Sequence, residues 1–160
     1  YLPVEERETN EDTLVDFSKI KTLILPNTRR MSARECRNIK KFVKNGGTVL
    51  ALMQSSYRDK NDNQVKEAEK YQLGNLFEIS YESFSWNPGL HSFIKKEQEH
   101  PIWQGVDNLV PNNRHWAMVN RTKEGGKVLG VWYNEEKQSP THSSKLNAAI
   151  VEGHRTLYVG

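Results

Sequence analysis

The sequence predicts an α/β domain with parallel strands in its first half and additional strands in its second half. Three observations carry that prediction. The apolar run Ile20 to Leu25 is stopped by Pro26-Asn27. A second apolar run, Thr48 to Met53, follows it after an amphipathic pattern. Beyond Tyr81 the texture changes to short strand-like runs separated by turn signals. A helix between two apolar strands is the mark of a right-handed crossover with a parallel pair.

The first run carries Ile20, Leu23, Ile24 and Leu25, and reads as a short buried strand of the kind found centrally in parallel sheets. Ser32 with Glu35 three residues on forms a capping box, each side chain accepting from the other's backbone amide. Cys36, Ile39, Phe42 and Val43 follow at helical spacing and make one apolar stripe. Lys40, Lys41 and Lys44 complement the negative end of the helix dipole. Asn45-Gly46-Gly47 supplies a left-handed stop. Gln54 to Gln64 is polar and forms a long loop at the C-terminal end of the second strand. A second helix is expected from Val65 to about Phe77, with Gly74 weakening its end. Further strands are expected at Tyr81–Trp86, His115–Asn120, Val128–Tyr133, Ala148–Val151 and Thr156–Val159. Asn87-Pro88-Gly89, Pro111-Asn112-Asn113, Gly125-Gly126 and Glu152-Gly153 separate them.

A length of 160 residues suits one domain, and a chain of that size buries roughly 70% of its unfolded surface. We expect a single domain over 1–160, with 1–18 as an acidic connecting stretch. The chain opens at Tyr1 without an initiator Met and stops at Gly160 straight after an apolar strand. This predicts a segment of a larger multidomain protein whose other domains are its partners. No apolar run approaches the ~20 residues of a membrane-spanning helix. The net charge is only +3, and the pairs Arg29-Arg30 and Lys40-Lys41 are diluted by neutral neighbours. Nucleic-acid binding needs a concentrated basic stripe and is not expected. The single cysteine, Cys36, excludes an internal disulfide and a Cys-based zinc site, and leaves the compartment undetermined.

In an open α/β sheet, ligands gather beyond the C-terminal ends of the strands. Gln54, Ser55, Ser56, Tyr57, Arg58 and Asp59 occupy that address. A serine on a strand-to-helix elbow becomes a nucleophile when a histidine serves as its base. Ser55 or Ser56 with His115 is the candidate arrangement, although the flanking glycines of G-x-S-x-G are absent; the alternative is that both serines are loop or cap residues. His91, His100, His115, His142 and His154 show no H-x-x-x-H spacing, so no metal site is expected. His100, before Pro101-Ile102-Trp103, reads as structural. Asp59-Lys60-Asn61-Asp62-Asn63 opens like a calcium loop, but Gln64 and Lys70 stand where the glycine and bidentate glutamate belong. No phosphate-cradling glycine motif occurs, so no cofactor is expected. Trp86 and Trp132 are candidates for stacking on carbohydrate; at strand positions such rings also serve as core filler. Asn120-Arg121-Thr122 fits the glycosylation acceptor pattern.

The stretch from Ile20 to Val65 resembles the flavodoxin-like fold of class I glutamine amidotransferases. The matching features are Leu25-Pro26, Ser32, the run from Phe42 to Thr48 (FVKNGGT) and Asp59-Lys60-Asn61-Asp62. More narrowly, it is similar to the non-catalytic trimerisation-type domain of family-42 β-galactosidases. The later segments His100 to Val106 (HPIWQGV), Gly126 to Tyr133 (GKVLGVWY) and Glu152 to Gly160 (EGHRTLYVG) are also similar to this domain and to ThuA-like relatives. In active amidotransferases a cysteine follows the second strand within G-x-C-x-G. Here Met53 stands about there, in Ala51-Leu52-Met53-Gln54-Ser55, and a thioether cannot become a thiolate nucleophile. The resemblance implies a catalytically silent copy of the fold: an accessory or oligomerisation domain of a carbohydrate-active protein. A serine hydrolase and a carbohydrate-binding module are the alternatives.

Overall fold

The computed structural model describes residues 17–65, 70–85, 92–112, 117–134, 139–140 and 147–160. Residues 1–16 of the expected connecting stretch 1–18, Trp86, His91, His115, His142 and the turn Asn87-Pro88-Gly89 lie outside the described residues.

The predicted crossover is present. Strand β1 (Thr22–Leu25) leads into helix α1 (Ala33–Lys44) and then into strand β2 (Thr48–Leu52). The two strands pair in parallel with Ile24 opposite Leu50. The capping box forms in full: the Ser32 hydroxyl accepts from the Glu35 amide at 3.2 Å, and Glu35 Oε2 accepts from the Ser32 amide at 2.6 Å. At the other end, Gly46 takes φ +98°, which suits a residue with no side chain. The Gly47 amide then returns to the Phe42 carbonyl at 3.0 Å. A Cβ on Gly47 would lie 2.3 Å from the Phe42 ring. That ring is buried and meets Phe17 at 5.2 Å between centroids. Cys36, Ile39, Phe42 and Val43 are the buried face of α1, as their spacing predicts.

The remaining elements are α2 (Gly74–Phe77), β3 (Ile79–Ser85), β4 (Phe93–Lys96), β5 (Leu109–Pro111), β6 (Ala117–Thr122), β7 (Lys127–Asn134), β8 (Ser139–Pro140), β9 (Ala148–Gly153) and β10 (Thr156–Val159). The sheet runs β1-β2-β10-β9-β7-β4-β5; β6 joins β9 to β3, and β8 flanks β7. β2 pairs in parallel with β1 and with β10; every other pairing between the named strands is antiparallel. A flavodoxin-like sheet is thus matched only over three strands.

Two expectations need correction. β1 lies at the edge of the sheet; Leu23 and Leu25 face the first core, while Ile24 points to the opposite face, beyond the reach of the second core, and is 56% exposed. The second helix, among the described residues, is the single turn Gly74–Phe77, so Gly74 begins it. Strands β4 and β5 carry no clear sequence signal, because each is short and alternates too little to stand out.

The sheet separates two cores. α1 and α2 cover one, which holds Leu25, Val49, Phe77, Met118, Val151 and Tyr158. Trp103, Val119, Leu129, Trp132 and Ile150 build the other. Tyr158 of β10 enters the first core while its neighbours Leu157 and Val159 pack on the second, as alternation in a strand requires.

Ser32→Ala is expected to lower unfolding free energy by about 1 kcal/mol through loss of the cap. Gly47→Ala is expected to lower it by about 1–3 kcal/mol through overpacking against Phe42. Urea unfolding followed by circular dichroism measures both, and unchanged midpoints would contradict them.

Candidate functional site at the end of the second strand

The chain leaves β2 through a sharp turn. Met53 adopts φ +58° and its side chain is 8% exposed. A positive φ thus stands at the residue after β2, without the flanking glycines of a G-x-S-x-G turn. Left-handed backbone costs a residue with a Cβ of order 1 kcal/mol or more, so the surroundings must hold it. They do so from two sides: the Met53 amide donates to the Val159 carbonyl at 2.7 Å, and its carbonyl accepts from the Tyr158 hydroxyl.

Behind that bond lies a buried polar network. Tyr71 and Tyr158 place their hydroxyls 3.1 Å apart, and the Tyr71 hydroxyl donates to Asn120 Oδ1 at 3.0 Å. The Asn120 amide nitrogen donates to the Met118 carbonyl at 3.2 Å and to the Tyr158 hydroxyl at 3.3 Å. Tyr57 and Tyr81 extend it as an aromatic cluster, with ring centroids 5.3 Å apart. Burial pushes the Tyr158 phenol up to about 12. Burial, then the neighbouring Tyr158, raises Tyr71 well above its ordinary value. Both phenols stay protonated and serve as donors. The sequence signal for this network is Asn120 at the end of the apolar run Ala117-Met118-Val119, a polar residue where the pattern calls for core. The tyrosines themselves carry no distinguishing signal.

The predicted serines lie in the same turn, and both are fully buried. Ser55 Oγ is 2.7 Å from the Leu52 carbonyl and 3.0 Å from the Leu25 carbonyl, and accepts from the Thr28 amide at 3.2 Å. Ser56, at φ +66°, accepts from the Leu73 amide at 3.1 Å. Each hydroxyl thus ties the ends of neighbouring elements together, and neither meets a histidine among the described residues. The loops after β1 and β2 are zipped along their length. Gln54 N–H reaches Asn27 Oδ1, Ser56 N–H the Thr28 carbonyl, and Arg58 N–H the Arg29 carbonyl. Gln72 Nε2 clamps the Met31 and Arg58 carbonyls at 2.7 and 2.9 Å.

The other candidates are dispersed. Tyr57 is buried beneath the Arg58 guanidinium, 5.1 Å from its ring centroid. Asp59 closes its own loop, accepting from the amides of Asn61 and Asn63 and from the Asn63 side chain at 3.1 Å. That side-chain bond, then the backbone donors, hold its carboxyl below the ordinary carboxylate value. Its oxygens are spent on the loop itself, and no cluster suited to a metal ion occurs among the described residues. Trp132 is buried in the second core and donates to the Met118 carbonyl at 3.0 Å; its faces are covered. Asn120 is buried too, so its glycosylation pattern is sealed in the folded domain. His100 caps the 3-10 turn Pro101–Trp103 through Nδ1, with Nε2 3.3 Å from Glu152.

One surface feature departs from the sequence expectation. Arg34, Arg37, Lys40, Lys41 and Lys44 are all exposed on α1. At about 100° per residue they fall within an arc of roughly 120°. Residues diluted along the sequence are concentrated by the helix. An open cleft of about 710 Å³ adjoins this face, between Arg37 and Lys40 on one side and Asp59, Asn63 and Gln64 on the other.

No family model matches this chain, and no curated protein matches it in sequence. Solved structures do. A β-galactosidase from Bacillus circulans sp. alkalophilus superposes with a TM-score of 0.70 at 20% identity, over 90% of this chain and 20% of that one. A GH42 β-galactosidase from G. stearothermophilus gives 0.66 at 20% identity, over 91% and 19%. This chain shares its fold with a segment of these β-galactosidases. It spans about a fifth of their length. A putative ThuA-like protein from Bacteroides uniformis gives 0.52 at 14% identity, over 87% of this chain and 58% of that one.

Tyr158→Phe and Tyr71→Phe are each expected to cost about 1–3 kcal/mol by stranding a buried partner. Together they are expected to depart from additivity by about 0.5–3 kcal/mol, because they share one network. Stability is also expected to fall at alkaline pH. Burial raises Cys36 from 9.0 to about 11 and Tyr158 from 10.0 to about 12. Below pH 9 both states are protonated and the contribution is complete. As pH rises toward 12 the unfolded chain sheds these protons first, and stability is lost. Urea midpoints between about pH 8 and 11.5 test this, and Tyr158→Phe should flatten the decline above about pH 10.

Proposed function

We propose that this chain is a non-catalytic, trimerisation-type accessory domain of a larger carbohydrate-active protein. It contributes contacts to other domains of the same chain or to copies of itself. One observation carries the reading: the sharp turn after β2, with its positive φ, presents a buried Met53 whose backbone is bonded on both sides. A thioether supplies no nucleophile there. The extent of the matches supports the same reading, since the chain superposes on about a fifth of each β-galactosidase.

A serine hydrolase using Ser55 or Ser56 with His115 draws no support from the hydroxyls, which are buried against backbone groups. For a carbohydrate-binding module, Trp132 is covered and Trp86 lies outside the described residues.

Assays of the purified chain against aryl esters, aryl galactosides and glutamine are expected to show no turnover above buffer. Turnover abolished by Ser55→Ala or Ser56→Ala would overturn the non-catalytic reading. Sedimentation velocity over a range of concentrations tests the assembly role. Strictly monomeric behaviour, both alone and within the parent protein, would remove self-association from it.

A further inference from the structure

The stop that ends α1 carries a chemically labile pair. Asn45 is the one asparagine in the sequence that is followed by glycine. The side-chain carbonyl carbon of an asparagine can close a five-membered ring with the backbone nitrogen of the next residue. With glycine next, no Cβ crowds that nitrogen and the backbone turns freely, so the pair reacts readily in an open chain. The reaction is a spontaneous deamidation. The Gly46 nitrogen gives its proton to solvent base and attacks the Asn45 side-chain carbonyl carbon. An N–C bond forms, the bond to the side-chain nitrogen breaks, and that nitrogen takes up a proton and leaves as ammonia. Water then opens the cyclic imide at either of its two carbonyls. One opening leaves aspartate; the other leaves isoaspartate, in which the main chain runs through the former side chain and gains one methylene.

The folded stop opposes the first of these steps. The attacking nitrogen is engaged, because the Gly46 amide donates to the Val43 carbonyl at 3.0 Å. Asn45 is held at φ −85° and ψ 10°. That ψ sets its Cβ and the Gly46 nitrogen apart across the Cα–C bond, whereas the ring needs them nearly eclipsed. Turning the bond would also disturb two neighbours, the Asn45 amide on the Lys41 carbonyl and the Gly47 amide on the Phe42 carbonyl, each at 3.0 Å. From outside the helix, Arg155 Nη1 donates to the Gly46 carbonyl at 2.9 Å and pins it to the turn between β9 and β10. Solvent access is not the barrier. Asn45 and Gly46 are both exposed, and nothing lies within 4 Å of where a Gly46 Cβ would stand.

We infer that Asn45 is a site of covalent modification by deamidation, gated by opening of the α1 stop. The modification marks chains in which the last turn has come undone, and reclosing does not reverse it. In the isoaspartyl product the chain is longer between residues 45 and 46. The amides of Gly46 and Gly47 then no longer reach the Val43 and Phe42 carbonyls together. Gly47 lies against the ring of Phe42, so the displacement passes into the first core. The new carboxylate also stands at the negative end of the helix dipole, where negative charge is disfavoured.

The test incubates the full chain in mildly alkaline buffer, with and without guanidinium chloride at an unfolding concentration. Mass spectrometry then follows the tryptic peptide 45–58, in which Asn45 is the one asparagine. In denaturant its one-dalton gain is expected to lead that of every other asparagine-bearing peptide. In buffer it is expected to be slower by about tenfold or more, since the hydrogen bonds of the stop must break first. Arg155→Met, checked as folded by circular dichroism, is expected to speed the reaction in buffer by about 2- to 10-fold and to leave the rate in denaturant unchanged. Equal rates with and without denaturant would overturn the gating. Another asparagine leading in denaturant would overturn the assignment. An Arg155→Met chain that reacts no faster in buffer would remove the pin from the account. Chains carrying isoaspartate, separated by chromatography, are expected to unfold at a lower urea midpoint than the unmodified chain; an unchanged midpoint would overturn the structural consequence.

Discussion

The carbonyl of Met53 must find a donor in a place water does not reach, and much of this structure is arranged around that need. A sharp left-handed turn at the end of β2 removes the residue from the strand ladder. An unpaired buried carbonyl would cost about 1–3 kcal/mol. The Tyr158 hydroxyl meets it, and thereby fixes β10 beside β2. The Asn120 amide donates to that hydroxyl and Tyr71 in turn donates to Asn120, which ties in the strand β6 and the segment before α2. One backbone group thus links elements far apart in sequence. The tyrosines also present broad apolar faces to the first core, so the polar network is enclosed rather than leaking to solvent.

This arrangement bears directly on chemistry. An elbow displays a side chain at the end of a strand, which is useful when that side chain reacts. Here the displayed residue is turned into the core, and the adjacent serines fasten loops to one another. The sharp turn after β2 serves here as a structural joint. The parallel part of the sheet is reduced to three strands, and the antiparallel remainder builds a second core against its other face. The same arrangement of strands superposes on about a fifth of each of two β-galactosidases.

What the sequence by itself determined is the local structure of its first half. Capping by Ser32 and Glu35, the apolar stripe Cys36, Ile39, Phe42 and Val43, and the stop at Gly46 depend on residues within one or two turns of each other. The end of β2 follows from them, and with it the position of Met53. The hairpin turn at Glu152-Gly153 is legible for the same reason, whereas Gly125-Gly126, which reads as a second hairpin, joins β6 and β7, and these pair with other strands instead of each other. Only the tertiary structure decided that β1 is an edge strand, that β10 inserts parallel to β2, and that Tyr71, Asn120 and Tyr158 meet. Those facts are pairings between distant residues, for which spacing along the chain carries no signal. The basic face of α1 lies between the two cases. Its residues are plain in the sequence, but their concentration appears only once the helix brings positions three and four apart onto one side.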